Sequence, residues 1–226
     1  MVTAIIVAAG KSERMGASTD KAFLNLGSKP VVAWSLLAFE RCVDVDQIVL
    51  VVRKDQIVAA KAVVRMFGIS KIRAVVAGGV RRQDSVQNGL KEVDSDTRVV
   101  VIHDGARPCV VPETISETVK IARRSGAAVV GCRIYDTVKF VEKGSVVTRT
   151  EDRSKLWVVQ TPQAFTVSLI RKAYAAVQEA KREVTDDASA VEFIGEPVKI
   201  FETAKPNLKI TTVEDLQLAA AVVLKH

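Results

Sequence analysis

The chain has 226 residues, 48% of them apolar and 26% charged, which suits one large folded domain and excludes global disorder. Thirty-three basic against twenty-six acidic side chains leave a formal charge of +7, read either as attraction for anions or as a lysine-rich solvated surface. Aromatics reach only 5% and do not interleave with the cations, which argues against a nucleic-acid platform, and no run approaches the ~20 apolar residues of a membrane helix.

Apolar runs alternate with helical patterns from the start. Ile5–Ala8 reads as a buried strand rather than a signal peptide, because no basic segment precedes it. A helix is predicted over Pro30–Arg41, a strand at Ile48–Val52, and a helix through Lys61 to Phe67. Next come a strand at Ile72–Val76, a helix from about Ser85, and a strand at Val99–Ile102. A helix over Pro112–Arg124 and a strand at Ala127–Cys132 follow. These strands are continuous rather than alternating, as expected when both faces are covered, so βαβ units and a mostly parallel, Rossmann-like α/β sheet with helices on both faces are expected. Thr137–Val141 and Val146–Thr150, joined by a turn containing Gly144, read as a protruding β-hairpin arm within about residues 134–153. Such a small polar hairpin usually packs against something, and a partner subunit is one candidate. The remaining elements are a strand at Val158–Val159, helices over Val167–Ala180 and Asp187–Ile194, strands at Val198–Phe201 and Leu208–Ile210, and a last helix over Val213–Leu224. Cys42, Cys109 and Cys132 are an odd number, far apart, with no zinc or disulfide pattern, so a reducing cytoplasm is the default expectation.

Ligands of parallel sheets sit at the carboxyl ends of the strands, and three segments there carry chemistry. After the first strand, Ala8-Ala9-Gly10 forms a small-residue turn, with Arg14 and Lys21 close behind. Gly10-Lys11-Ser12 resembles the tail of a Walker A loop, but the first required glycine is Ile5. The dinucleotide fingerprint also fails, at Ser12 and Met15. On residues alone the loop fits a phosphate cradle and a plain strand–loop–helix turn equally well. Gly78-Gly79 permits close approach to a flat base, or simply makes a turn capped by Asp84 or Ser85. Asp104, in His103-Asp104-Gly105-Ala106-Arg107-Pro108, is a sensible magnesium ligand or substrate anchor. His103 is given no catalytic role.

Taken together and in this order, these segments resemble the 2-C-methyl-D-erythritol 4-phosphate cytidylyltransferases of the non-mevalonate isoprenoid pathway. The resemblance runs over essentially the whole chain and continues through Asp136-Thr137, Asp152-Arg153, Gln160-Thr161-Pro162-Gln163, Thr185-Asp186-Asp187-Ala188 and Asn207-Leu208-Lys209. It implies transfer of a cytidylyl group from CTP to a small sugar-alcohol phosphate with Mg²⁺, in a homodimer whose arms embrace the partner. By position, Ala8, Ala9, Gly10, Gly79, Ser85 and Gly105 would hold the nucleotide, with Arg14 and Lys21 clasping the triphosphate. Asp104, Arg107, Thr185 and Lys209 would hold the acceptor, joined by Thr137 and Arg153 across the dimer. Arg14, Lys21, Arg153 and Lys209 would be the catalytic cations, and Asp104 the one candidate metal ligand. The chain departs from the family pattern at Ser12, Ala22, Val80 and Gly105; Val80 stands where relatives carry an acid that reads cytosine. The rival acceptor is ribitol 5-phosphate; Ala8-Ala9-Gly10 and Ala106-Arg107-Pro108 favour methylerythritol phosphate. A non-enzymatic nucleotide- or nucleic-acid-binding module and an NAD-dependent oxidoreductase are weaker readings.

Overall fold

The computed structural model describes residues 1–10, 21–203 and 205–224. β1 (Val2–Ala8) is buried along its whole length. A small hairpin, β2 (Asn25–Leu26) and β3 (Lys29–Pro30), leads into α1 (Val31–Arg41), whose entry is set by Pro30 at φ −59°. Strand–helix units follow: β4 (Gln47–Val52) with α2 (Ile57–Met66), β5 (Ile72–Ala77) with α3 (Arg82–Lys91), and β6 (Val99–Asp104) with α4 (Pro112–Ser125). Gly126 then takes φ +86°, a left-handed conformation that costs little only for glycine, and the chain enters β7 (Ala127–Arg133) directly. An exposed hairpin, β8 (Lys139–Phe140) and β9 (Arg149–Thr150), precedes β10 (Trp157–Thr166). The described elements close with α5 (Val167–Glu179), α6 (Asp187–Phe193), β11 (Lys199–Glu202) and α7 (Val213–Val223).

The sheet has seven strands in the order β11-β7-β10-β6-β1-β4-β5. β10 is antiparallel to both neighbours, and every other pairing is parallel. Helices cover both faces, and the strand period of two assigns the side chains between them. Val2, Ala4 and Ile6 of β1 pack with Leu36 and Phe39 of α1 and with Ile115 and Val119 of α4. Ile5 and Val7 face the other way, toward Val86 of α3, Ile170 of α5 and Val191 of α6. A third, smaller cluster seats α7 on Leu26, Val31 and Ile210. Among the described residues no helix is long and apolar enough to cross a membrane.

Three sequence expectations need correction, and one element was not anticipated. Leu208–Ile210 is not a strand: its backbone makes one cross-bond, Ile210 N–H to Ala106 O at 2.8 Å, and the segment instead spends its polar groups on side-chain contacts. The arm pairs only Lys139 with Thr150 and Phe140 with Arg149, shorter than predicted, because it has no sheet to bury a face against. The hairpin of β2 and β3 was not anticipated, since two-residue strands leave no periodicity to read. Val158–Val159 belongs to a ten-residue strand rather than a short one.

Phe165 lies on β10, is fully buried, and packs into the cluster shared by α5 and β6. Phe165→Ala is expected to lower stability by about 3–5 kcal/mol, read as a shift of the urea midpoint.

Candidate active site

The register of the parallel strands brings three turns to one edge. Val7 lies beside Asp104 and Ala8 beside Val52, so the ends of β1, β4 and β6 are level. Gly78 N–H continues the ladder to Val52 O at 2.8 Å, and Gly105 N–H to Val7 O at 2.8 Å. Between these turns opens a cleft of about 1030 Å³. Among the described residues its lining carries the cations Lys21, Arg53, Lys54, Arg81, Arg82 and Lys209 against the carboxylates of Asp55 and Asp104. The surplus positive charge is therefore concentrated where polyanions can reach backbone amides.

One wall is a turn that tolerates no side chains. A Cβ on Gly78 would stand 2.4 Å from Ala9 Cβ, and one on Gly79 would stand 2.4 Å from Asp84 Cβ. Ser85 Oγ accepts from Gly79 N–H at 3.0 Å and donates to Arg81 O at 3.2 Å, which pins the turn to α3. Asp84 accepts from Arg81 N–H at 3.0 Å and pairs with its guanidinium at 2.8 Å. The segment is a capped helix entry, and its glycines line the cleft.

The opposite wall is built on Asp104. Arg82 Nε donates to Asp104 Oδ1 at 3.0 Å, and Lys209 Nζ donates to Oδ2 at 2.7 Å. Burial alone would push this carboxyl up, but Arg82 and Lys209 outweigh it and hold it far below the usual carboxylate range. Arg82 also donates to Asp187 Oδ2 at 2.7 Å, and Tyr174 donates to Asp187 Oδ1 at 2.6 Å. Burial and the neighbouring Asp187 push the Tyr174 hydroxyl up, so it remains a donor.

Asp104 N–H donates to Thr161 Oγ1 at 3.0 Å. That hydroxyl is 3.1 Å from His103 Nδ1, and because Arg107 O, facing the other ring nitrogen, can only accept, Nδ1 is the unprotonated nitrogen and Thr161 donates to it. His103 therefore carries its proton on Nε2, which donates to Arg107 O at 3.3 Å. Burial pushes the imidazole down to about 3, so His103 is neutral. It is a structural strut packed on Phe39, with ring centroids 5.1 Å apart.

Of the residues singled out from sequence, Ala8, Ala9, Gly10, Lys21, Gly79, Ser85, Asp104 and Lys209 line the cleft together. Gly105 lies beneath it, where a Cβ would meet Ala8 Cβ at 3.1 Å. Arg107 is largely buried beside the cleft, with Nη1 donating to Asn207 O at 2.7 Å. Thr185 is exposed ahead of α6, its hydroxyl 3.2 Å from Ser189 Oγ. Thr137 and Arg153 are exposed along the arm, outside this chain's own lining, and Arg153 donates to Tyr135 O. Arg14 and Ser12 fall outside the described residues. Sequence reasoning gave no role to Thr161, Tyr174 or Asp187, and quoted Arg82 without one. The sequence itself offers only the order of residues here, Arg82 after the paired glycines and Asp187 after Asp186.

Level strand ends closing on a cation-rich, glycine-walled cleft define a nucleotide-binding α/β protein. The family model described as 2-C-methyl-D-erythritol 4-phosphate cytidylyltransferase (IspD) matches residues 2–225. Proteins of that name from Geobacillus kaustophilus and Pelotomaculum thermopropionicum are 45% and 44% identical, covering 97% and 98% of this chain and 96% and 94% of theirs. A solved 4-diphosphocytidyl-2C-methyl-D-erythritol synthase from Anaerococcus prevotii superposes with a TM-score of 0.87 at 32% identity, over 100% of this chain and 98% of its own. The Thermus thermophilus cytidylyltransferase gives 0.78 at 31%, over 98% of each. The chain belongs to the 2-C-methyl-D-erythritol 4-phosphate cytidylyltransferase family.

The neutral strut has a pH signature. His103 drops from an ordinary 6.5 to about 3, so between those values the unfolded chain binds more protons than the folded one. Stability from the neutral ring is complete above about 6.5 and is lost as pH falls toward 3. Asp104, also lowered, adds loss in the same direction at the acid end. Urea midpoints are expected to fall from pH 6.5 to 4, and His103→Gln is expected to flatten that slope.

Proposed function

We propose that the cleft carries out the family's reaction with the triphosphate of CTP laid over Ala8–Gly10, between Arg14 and Lys21. Cytosine then lies against Gly78 and Gly79, and the acceptor phosphate lies beside Asp104 and Lys209. The observation that carries this reading is the convergence of Ala8–Gly10, Lys21, Gly79, Asp104 and Lys209 on one cleft. The enzyme is a nucleotidyltransferase that makes 4-diphosphocytidyl-2-C-methyl-D-erythritol and pyrophosphate from CTP and 2-C-methyl-D-erythritol 4-phosphate, in isoprenoid precursor synthesis.

A phosphate oxygen of the acceptor attacks the α-phosphorus of CTP; the new P–O bond forms as the bond to the β-phosphate oxygen breaks and pyrophosphate leaves. The acceptor's second pKa is near ~6, so at neutral pH the nucleophile is already a dianion and needs no base. The described cleft residues supply none: Asp55 is paired with Arg53 at 2.7 Å, Asp104 is clamped, and His103 points into the core. What limits the step is repulsion between anions and charge gathering on the α-phosphoryl oxygens. Cations preorganised at that charge contribute on the order of ~3 kcal/mol each, and Arg14, Lys21 and Lys209 take that part.

Mg²⁺ would arrive on the triphosphate, and of the two carboxylates in the described lining Asp104 would offer it an oxygen only where Lys209 releases one. No group of three or more metal-binding side chains exists among the described residues. When bound, it neutralises phosphate charge. The chain acts as a cytoplasmic homodimer in which the partner's arm brings Thr137 and Arg153 to the acceptor. The arm's exposure, and the exposed Val158 and Val159 at its base, support that arrangement.

Pyrophosphate release with CTP, Mg²⁺ and methylerythritol phosphate tests the whole reading; faster turnover of ribitol 5-phosphate would overturn the acceptor assignment. Lys21→Ala and Arg14→Ala are each expected to lower kcat by about 100-fold while leaving the unfolding midpoint nearly unchanged. Arg153→Ala is expected to act on the acceptor's KM, and an unchanged KM removes Arg153 from the pocket.

A further inference from the structure

Behind Asp104 lies an unbroken line of buried polar groups that the transfer chemistry does not use. Tyr174, from α5, donates to Asp187 at 2.6 Å; Asp187, the first residue of α6, accepts from Arg82 at 2.7 Å; Arg82, the first residue of α3, holds Asp104 at 3.0 Å. Asp187 is completely buried and Tyr174 nearly so, and neither lines the cleft. A buried carboxylate is costly unless its partners fix it, and this one has two. It also stands next to Asp186, whose Oδ1 caps α6 through Ser189 N–H at 2.9 Å and whose Oδ2 accepts from Gln163 at 2.8 Å. Thr185 immediately precedes that cap.

We infer that Asp187 and Tyr174 are positioning residues for the acceptor phosphate, acting through the Arg82 fork on Asp104 and through the start of α6 on Thr185. The inference rests on the placement of the acceptor beside Asp104. Arg82 has a planar, two-sided donor set, and Asp187 occupies the side that Asp104 does not, so the guanidinium cannot rotate away. With Arg82 fixed, Asp104 keeps its orientation when Lys209 leaves it to meet an incoming phosphate. Losing Asp187 frees the fork, and the acceptor side loses its template while the Ala8–Gly10 side does not.

The test is steady-state pyrophosphate release with CTP and methylerythritol phosphate varied separately, alongside urea unfolding of each variant. Asp187→Asn is expected to raise the acceptor KM by about 10-fold with the CTP KM within about 2-fold, the scale of a slightly misplaced binding group. Tyr174→Phe is expected to show the same pattern at about 3-fold, smaller because Arg82 still holds Asp187 when the hydroxyl is gone. In an Asp104→Asn background Asp187→Asn is expected to add less than about 2-fold, because its path of action is already cut. Equal rises in both KM values, a loss confined to kcat, or full additivity with Asp104→Asn overturns the inference. If Asp187→Asn does not fold, Tyr174→Phe decides by the same split. Absence of turnover in the unmodified protein overturns the cytidylyl-transfer reading itself, and the inference with it.

Discussion

A carboxylate buried at the end of a central strand must be neutralised where it stands, and much of this site follows from how Asp104 meets that requirement. Its two oxygens are divided between Arg82, 22 residues away in sequence, and Lys209, 105 residues away. Arg82 needs a second carboxylate, which α6 supplies. The clamp therefore forms only when β6, the helices of one face and the segment before α7 are all in place. Removing Arg82 would leave the fully buried Asp187 without its cation, a defect worth about 3–5 kcal/mol. Folding and assembly of this wall of the cleft are one event.

The alternation of side chains along β6 divides labour between adjacent residues. Asp104 points toward Arg82 of α3 and lines the cleft. His103, one step earlier, points toward α1 and serves only to hold shape. Thr161 touches both, accepting from the Asp104 amide and reaching the His103 ring, so a single hydroxyl keeps strand end and strut aligned. A histidine beside an acid at a strand terminus invites a proton-transfer role; here the pleat turns it away from the cleft.

Much of this was legible in the residues. Runs such as Val49–Val52 and Val99–Ile102 are apolar at every position because helices lie on both sides, and that pattern alone predicted the layered sheet. Ala8–Gly10, Gly79 and Asp104 were found because small or acidic residues at strand ends have a recognisable use. The direction of β10 was not legible, since a strand's residue pattern reads the same in either orientation. Nor were the roles of Arg82, Asp187 and Tyr174, which carry meaning only as a set whose members are 105 and 13 residues apart. Leu208–Ile210 looked like a strand because Leu208 and Ile210 pack inward, yet Asn207 and Lys209 turn to Thr161 and Asp104 instead of joining a ladder.

The reversed course of β10 has a geometric consequence for the arm. β7 finishes at the same edge as the cleft, and Trp157, where β10 begins, is paired with Arg133, where β7 ends. The excursion between them therefore leaves and rejoins the sheet at one rim, with no crossing to the far side. Had β10 run with its neighbours, those residues would have been consumed as a crossover and would have re-entered at the opposite rim. One inverted strand thus frees a stretch of chain to project from the rim where ligands arrive, in reach of whatever docks there.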